Sequence, residues 1–189
     1  MAGRKSIGAQ RNPESEKAIL AAARDLLAEQ GVAGFSIEAV ARRAKAGKPT
    51  IYRWWPDRTR LLIAVYSEFK GQMRPFDTGS LEGDVRAFIT NLLAFWRETP
   101  AGPVFRSILS ESQSDPAASA AFAEYHYGRS EQTATAFARH GITQKDARLL
   151  TELAVNYGWG QLLADRLDPG AEEIARVAKM LTAGVAAGK

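Results

Sequence analysis

Apolar residues recur along this chain at spacings of three and four, which is the period of α-helices with one buried face. The first such segment starts at Asn12-Pro13, because Asn caps helices well and Pro suits their first position, and it stops at Gly31. Its apolar face consists of Ile19, Ala22, Ala23, Leu26 and Leu27. This pattern predicts an amphipathic first helix that packs against the elements following it.

Residues 36–55 contain two short helical segments separated by a turn. Ser36 can cap the first segment, whose apolar positions are Ile37, Val40, Ala41 and Ala44. Ala46-Gly47 interrupts the pattern, which resumes with Ile51 and Trp55 on one helical face. A short helix, a tight turn and a second short helix predict a helix-turn-helix, whose second helix can enter the major groove of DNA.

The remainder of the chain is also helical by pattern. A helix capped by Asp57 is predicted to run to about Met73, long enough to touch a following domain, and residues 74–79 form the one clear break. Further helices are predicted over residues 80–98, 116–140 and 143–167, with a short one around 104–109 and a last one after residue 170. We expect an all-α fold of about nine helices: a flexible basic arm over 1–12, a three-helix DNA-binding domain with its connecting helix over 13–73, and a helical bundle for ligand binding and dimerisation over 80–189.

The distribution of charge supports this division. Residues 1–75 hold 14 Lys and Arg against 7 Asp and Glu, a net charge of +7, whereas the remaining 114 residues hold 11 against 14, a net charge of −3. A basic first third fits a DNA-binding module, although chance imbalance also fits. The chain has no cysteine, no signal-peptide pattern and no apolar run near the ~18 residues of a membrane span. We therefore expect a cytoplasmic protein without a membrane partner.

The second short helix carries the candidate DNA-binding chemistry. Lys48, Thr50, Tyr52 and Arg53 fall outside its apolar face, and their side chains donate to phosphate oxygens and base edges. A solvated basic helix pair with ordinary buried aromatics would show the same spacing. The basic arm would either reach a minor groove or remain in solvent.

At these residues the sequence resembles the tetracycline-repressor (TetR) family of transcriptional regulators. The resemblance covers residues 35–62 and the preceding helix, and it rests on Ser36, Ile37, Val40, Ala41, Thr50, Ile51, Tyr52, Trp55, Arg58 and Leu61. It implies phosphate contacts for Thr50, Tyr52 and Arg58, base-groove contacts for Lys48, Pro49 and Arg53, and packing of Trp54 on the DNA backbone. The family usually has Gly where this chain has Lys45, which becomes a further candidate phosphate contact. Beyond Gly71 only the helical character matches.

The resemblance also implies an inducer pocket in the second domain. Large, partly polar residues there either line such a cavity or simply fill the core: Trp96, Phe105, Phe122, Tyr125, His126, Tyr157 and Trp159. We expect Phe69 and Met73, at the end of the connecting helix, to border the same pocket and to move with it. Because no carboxylate–metal constellation is evident, we expect a neutral or cationic organic effector of apolar or aromatic character, with Glu98, Glu111 and Glu124 as the carboxylates able to meet a cation.

The last two helices are expected to form a homodimer interface. Two glycines inside a predicted helix each cost ~1 kcal/mol relative to Ala, which close approach of a partner helix would justify. The candidate interface residues are Leu153, Tyr157, Gly158, Gly160, Ile174, Val177, Ala178 and Leu181. A monomer with a small-residue seam in its core would give the same pattern.

Motifs for catalysis are not evident in the sequence. Its only two histidines, His126 and His140, lack further ligands at metal-binding spacing, and no phosphate loop or nucleophile motif occurs. We expect no catalytic residue, metal or cofactor. The function favoured is a homodimeric repressor that binds a palindromic DNA operator and is released by a small molecule. The alternatives are a constitutive architectural DNA-binding protein and, least favoured, a helical enzyme with a DNA-binding appendage.

Overall fold

The computed structural model describes residues 12–71 and 73–185, and every regular element in these ranges is helical. The elements are α1 (Pro13–Gln30), a 3-10 turn (Val32–Gly34), α2 (Ile37–Ala44), α3 (Lys48–Trp54), α4 (Arg58–Lys70), α5 (Leu81–Glu98), α6 (Ala101–Ser112), α7 (Pro116–Ala138), α8 (Gln144–Leu163) and α9 (Ala171–Ala183). The predicted all-α class with about nine helices is confirmed within the described part of the chain. The basic arm predicted for residues 1–12 lies outside it, except for Asn12.

Most helices begin at the polar residue that the sequence indicates. The Asn12 Oδ1 accepts from the Glu14 amide at 3.0 Å, and the Asp57 Oδ1 accepts from the Arg60 amide at 2.7 Å. Ser36, Ser80, Asp115 and Thr143 cap α2, α5, α7 and α8 in the same way. Each cap satisfies an amide that the first helical turn leaves without a partner, typically worth ~1 kcal/mol.

Two helices end earlier than predicted. The connecting helix α4 stops at Lys70 rather than at about Met73, and α8 stops at Leu163 rather than at about Leu167. After α8, Asp165 adopts a left-handed conformation with φ of 55°, and the Arg166 amide donates back to the Gln161 carbonyl at 2.8 Å. This backbone closure ends the helix without the glycine that usually marks such a site.

The helices form one continuous core. Helix α1 packs on α2 and α4, and α4 also packs on α6 and α7, so that it joins the first three helices to the others. Helix α5 lies among α6, α8 and α9, while α7 packs along α8. Gly158 of α8 permits this packing, because a Cβ there would lie 3.2 Å from Cζ3 of the buried Trp96.

Candidate DNA-binding surface and ligand cavity

The turn between α2 and α3 is closed by Lys45 in a left-handed conformation. Its φ of 50° and ψ of 38° fall where glycine is preferred, and the Ala46 amide donates to the Ala41 carbonyl at 3.0 Å. For a non-glycine residue this conformation costs roughly 1–2 kcal/mol. The turn is therefore a strained one, held in place by the packed helices on either side.

Helix α3 divides cleanly into a buried and an exposed face. Ile51, and Trp55 just beyond the end of the helix, are 0% and 7% exposed. Their burial holds α3 against α1 and α2. The outer residues Lys48, Pro49, Tyr52 and Arg53 are exposed, together with Lys45 in the turn, whereas Thr50 is half-buried. The predicted DNA-binding residues of α3 are thus brought together on a single rigid surface.

Two ion pairs border this surface. The Lys48 ammonium pairs with the Glu38 carboxylate of α2, and both Arg43 guanidinium nitrogens bond the Glu29 carboxylate of α1. These pairs are exposed, so each contributes little to stability. The Glu38 carboxylate competes with a phosphate or a base for the Lys48 ammonium.

The phosphate contact that the resemblance implies for Arg58 stays a prediction, and in this structure Arg58 bonds other parts of the protein. Its Nε donates to the Phe35 carbonyl at 3.2 Å, and its NH1 bonds the carboxylate of Glu111 on α6. The same carboxylate accepts from Thr59 Oγ1 at 2.7 Å and Ser107 Oγ at 2.8 Å. In this conformation the Arg58 guanidinium is used inside the protein, where it connects the helix-turn-helix to α6.

Trp54 stays a predicted contact of the DNA backbone. It is half-buried beside Trp55, with ring centroids 6.2 Å apart. Both rings line a groove of about 990 Å³ that runs between α4 and α7 and has small alanine side chains along one wall. Trp54 therefore packs at the junction of α3 with the rest of the molecule.

An internal cavity lies where α4, α5, α6, α7 and α8 meet. Its volume is about 20 Å³, room for roughly one water molecule. Five of the aromatic residues predicted to bind ligand line it: Trp96, Phe105, Tyr125, His126 and Trp159. Phe122 lies behind them, 5.6 Å from the Trp159 ring and 6.1 Å from the Phe105 ring between centroids.

The other predicted ligand residues lie elsewhere. Phe69 and Met73 line a separate groove of about 740 Å³ formed by α1, the end of α4 and α5. The residues expected to share one pocket are therefore divided between this groove and the internal cavity. The Tyr157 hydroxyl donates to the Glu173 carboxylate of α9 at 2.8 Å, and desolvation together with this bond raises the pKa of Tyr157 to about 12. Tyr157 thus joins α8 to α9 and lines neither of these two spaces.

The polar lining of the internal cavity is cationic. Lys70 of α4 and Arg129 of α7 both face it, and sequence reasoning identified neither residue. Burial, with a contribution from the Arg129 charge, lowers the pKa of Lys70 to about 7. The Nε of Arg129 and the hydroxyl of Tyr125 are buried without a hydrogen-bond partner among the described residues.

The carboxylates proposed to meet a cationic effector are occupied or distant. Glu111 binds Arg58, Glu124 pairs with Arg60 at 3.1 Å, and Glu98 lines the α1–α5 groove. No Asp or Glu of the described chain lines the internal cavity. The expectation of a neutral or cationic effector is therefore not supported at this cavity, because a cation would meet two cations there.

The predicted dimer residues fall into two groups. Gly158, Ile174 and Ala178 are buried within the protomer, so the tight approach at Gly158 is to its own Trp96. Gly160 and Leu153 are exposed, and Tyr157, Val177 and Leu181 are half-buried. The outer faces of α8 and α9 expose further large apolar side chains, with Leu149 at 56%, Leu153 at 44%, Leu163 at 66% and Met180 at 71% exposure.

Within the described ranges, no helix is long and apolar enough to cross a membrane. No group of three or more His, Cys, Asp or Glu side chains in the same ranges is arranged to hold a metal ion.

Two family models match the chain. One, described as bacterial regulatory proteins of the tetR family, matches residues 19–65, and one described as a tetracyclin repressor-like C-terminal domain matches residues 75–181. The uncharacterized HTH-type transcriptional regulator YdeS of Bacillus subtilis is 34% identical over 109 residues, which is 57% of this chain and 54% of YdeS. A DNA-binding transcriptional repressor TetR of Mycobacteroides abscessus is 38% identical over 72 residues, 37% of this chain and 38% of that protein. The matched stretch thus spans about half of the first relative and a little over a third of the second.

Solved structures share the fold over almost the whole chain. The TetR family transcription regulator SCO0332 superposes with a TM-score of 0.75 at 23% identity, covering 92% of this chain and 99% of that one. The multidrug binding protein EbrR, complexed with imidazole, gives 0.63 at 19% identity, covering 96% and 97%. At these identities the likeness concerns the arrangement of helices alone.

Proposed function

Because this chain belongs to the TetR family of transcriptional regulators, we propose that it is a cytoplasmic repressor that binds a palindromic operator as a homodimer and is released by a small organic molecule. In this proposal residues 13–73 bind DNA and residues 80–189 bind the effector and the second protomer. The observation that carries it is the exposed polar face of α3, held on a buried core by Ile51 and Trp55.

The face of α3 has the chemistry of a recognition helix. Tyr52 can donate to a phosphate oxygen, and Arg53 can donate two hydrogen bonds to the edge of a guanine. Tyr52→Phe should then weaken binding to all sequences alike. Arg53→Ala should cost ~1–3 kcal/mol on the operator and relax the preference at one base pair.

The operator itself is the first test. Selection from random duplexes, followed by footprinting, should return paired half-sites about one helical turn apart, bound at least ~1,000-fold more tightly than random DNA. Arg86→Ala, an exposed arginine change on α5, is the matched control for Arg53→Ala. Unchanged operator affinity in both α3 variants would contradict the assignment of this surface. Equal affinity for every duplex, with a steep salt dependence, would instead indicate the architectural alternative.

Dimerisation is supported by the outer faces of α8 and α9. Leu153, Leu149 and Leu163 of α8 and Met180 of α9 are large apolar side chains that are exposed in the protomer. An isologous contact would bury these residues against their own copies, and a two-fold dimer matches the two-fold symmetry of a palindrome.

Sedimentation velocity at micromolar concentration tests the dimer. We expect about twice the protomer mass of 20.6 kDa, and we expect Leu153→Arg to shift the distribution towards the protomer. Tyr127→Arg is the matched control, since Tyr127 is 67% exposed on α7, outside the predicted interface. A 20.6 kDa species at every concentration of the unmodified chain would exclude the dimer.

Release by an effector is supported by the position of α4. This helix starts directly after the helix-turn-helix, where Arg58 and Thr59 bond Glu111 of α6, and it ends at Lys70 on the internal cavity. A ligand that binds one position of α4 more tightly than another increases the fraction of molecules with α4 in that position. In a dimer the position of α4 would set the distance between the two helix-turn-helix units, each of which is called a reading head below. A mobility-shift assay on the selected operator, with and without ligand, measures that coupling.

A further inference from the structure

The internal cavity combines an aromatic wall with two cations that have no carboxylate partner. Among the described residues, neither Lys70 nor Arg129 forms an ion pair, and the one side-chain bond of Arg129 is from NH1 to the Gln132 amide oxygen at 2.9 Å. Both residues are half-buried as a whole, but the Arg129 Nε is buried and the lowered pKa of Lys70 reflects its desolvation. Charged groups withdrawn from water are normally paired, because their lost hydration must be replaced. The described lining of this cavity therefore presents two cations and no carboxylate.

Hydrogen-bond donors converge on the same cavity. The Arg129 Nε and the Tyr125 hydroxyl are both buried without a partner. The Tyr66 hydroxyl accepts from the Trp96 indole nitrogen at 2.9 Å and keeps its own proton to donate. It lies close enough to the Tyr125 hydroxyl for each group to affect the pKa of the other. Unsatisfied buried donors are uncommon in native proteins, and each one costs about 1–3 kcal/mol. A group with two acceptor oxygens would satisfy both donors at once.

We propose that this cavity binds a small organic acid, whose carboxylate lies between Lys70 and Arg129 and whose apolar body packs on Trp96, Phe105 and Trp159. The inference rests on the proposed function, since it names the chemical class of the effector. A carboxylate accepts from guanidinium, ammonium and phenol together, and such charge-assisted hydrogen bonds are roughly twice as strong as neutral ones.

Two side chains lie between the cavity and a groove on the surface. Tyr125 and Arg129 line both the cavity and the groove of about 990 Å³ between α4 and α7. Since the cavity itself holds only about 20 Å³, the acid enters by displacing these two side chains and widening the space between α4 and α7. Widening that space moves the carboxyl end of α4, whose first turn carries the link to the reading head.

The other titratable groups around the cavity are compatible with an anion. Burial, helped by the Lys70 charge, lowers the pKa of His126 and thereby favours its neutral form, while Glu152 on α8 opposes that shift. Burial raises the pKa of both Tyr66 and Tyr125, so they remain protonated donors. At neutral pH a bound carboxylate would also favour the charged form of Lys70, so that binding takes up protons.

The test measures binding to the full chain by calorimetry and by thermal melting. The probes are benzoate, phenylacetate, 1-naphthoate and octanoate, each compared with its own amide, together with benzylamine, chloride and inorganic phosphate. We expect at least one carboxylate to bind ten-fold or more tightly than its amide. Lys70→Met and Arg129→Met should each weaken that carboxylate at least ten-fold while leaving its amide within about two-fold.

The control variants are Lys145→Met and Arg86→Met, which remove one exposed cation of the same type without touching the cavity. Lys70→Met should also raise the melting temperature of the ligand-free protein, because it removes a desolvated charge. Higher stability with lower acid affinity is a combination that a merely structural lysine would not give. The melting transition of each variant shows directly whether it folds.

Failure of this inference and failure of the proposed function give different results. Carboxylates that bind through Lys70 and Arg129 but leave operator affinity unchanged would support the cavity assignment and contradict ligand release. Amides or benzylamine that bind better than the acids and release the operator would support ligand release and overturn the organic-acid assignment. No carboxylate exceeding its amide, or stabilisation by chloride and phosphate alone, would also overturn it.

Discussion

The link between α4 and α6 should have a measurable energy, and Glu111→Gln isolates it. The Glu111 carboxylate accepts from Arg58, from Thr59 Oγ1 at 2.7 Å and from Ser107 Oγ at 2.8 Å. Arg58 in turn donates to the Phe35 carbonyl at 3.2 Å, on the chain segment that leads into α2. Replacing the carboxylate by an amide removes the charge, keeps the shape and leaves one oxygen to accept from Thr59.

The size of the effect follows from partial burial. The Arg58 and Glu111 side chains are 31% and 27% exposed. Breaking a fully buried ion pair costs about 3–5 kcal/mol, whereas an exposed pair is worth about 0.2–1 kcal/mol. The intermediate exposure, together with the surviving hydrogen bond, places the loss of unfolding free energy for Glu111→Gln at about 1–2 kcal/mol.

Urea unfolding of a double-mutant cycle with Arg58→Met measures the pair itself, and we expect a coupling energy of ~1 kcal/mol. Glu131→Gln with Arg148→Met is the matched control, since that pair joins α7 to α8 and its side chains are 28% and 51% exposed. Glu111→Gln should also bind effector normally yet release the operator less completely, whereas the control should not. A coupling energy below about 0.3 kcal/mol, or unchanged effector-dependent release, would refute the role given to this contact.

Three further predictions concern single sites. Gly102→Ala should lower the unfolding free energy by at least ~2 kcal/mol, because the new Cβ would lie 2.3 Å from the Trp96 carbonyl oxygen; thermal melting measures this, and a loss below 0.5 kcal/mol would contradict it. Burial opposes ionisation of Asp84, but the hydrogen bonds from His140, Thr78 and Arg139 outweigh it and lower the pKa of Asp84 to about 2. The ionised carboxylate therefore stabilises the fold fully above pH 3.8, and this stabilisation is lost as the pH falls towards 2. Asp84→Asn should therefore reduce the pH dependence of stability in this window by about 1–2 kcal/mol, allowing for solvent screening, and an unchanged urea midpoint profile from pH 2 to 5 would oppose it. Lys45→Gly should stabilise the turn by up to ~1 kcal/mol while weakening binding to any DNA through the lost charge, and equal affinity would remove Lys45 from the DNA contacts.

The helices could be predicted from the sequence because the residues that start and end a helix are close to one another along the chain. Asn12, Ser36 and Asp57 cap helices through amides two or three residues away, so the printed order of residues contains both partners. The buried face of α3 was predictable for the same reason, since Ile51 and Trp55 are separated by one helical turn.

The partners of Arg58 were not predictable in this way. Glu111 lies 53 residues further along the chain, and no periodicity relates the two positions. The family resemblance implies that Arg58 contacts DNA, whereas in this structure Arg58 bonds the Glu111 carboxylate of α6. Similarly, Lys70 and Arg129 have the spacing of ordinary solvated helix residues, and only the packing of α4 against α7 places them on one cavity.

The positions of the aromatic residues were predicted better than their grouping. Trp96, Phe105, Tyr125, His126 and Trp159 do share a cavity, because bulky side chains on several amphipathic helices meet in the bundle centre. Phe69 near the end of α4 and Met73 just beyond it line a different space, the groove formed with α1 and α5. Which side of a helix faces which neighbour depends on crossing angles, and the sequence of one helix does not contain them.

The four tryptophans of this chain lie near the two ends of α4, so that tryptophan fluorescence can monitor each end. Trp54 and Trp55 lie beside the reading head, with ring centroids 6.2 Å apart, and Trp96 and Trp159 line the internal cavity. Replacing one pair with phenylalanine would leave an emission spectrum belonging to a single end of the helix. Stopped-flow recordings on the two paired variants would then give the order of events, namely whether the cavity fills before or after the reading head leaves the DNA.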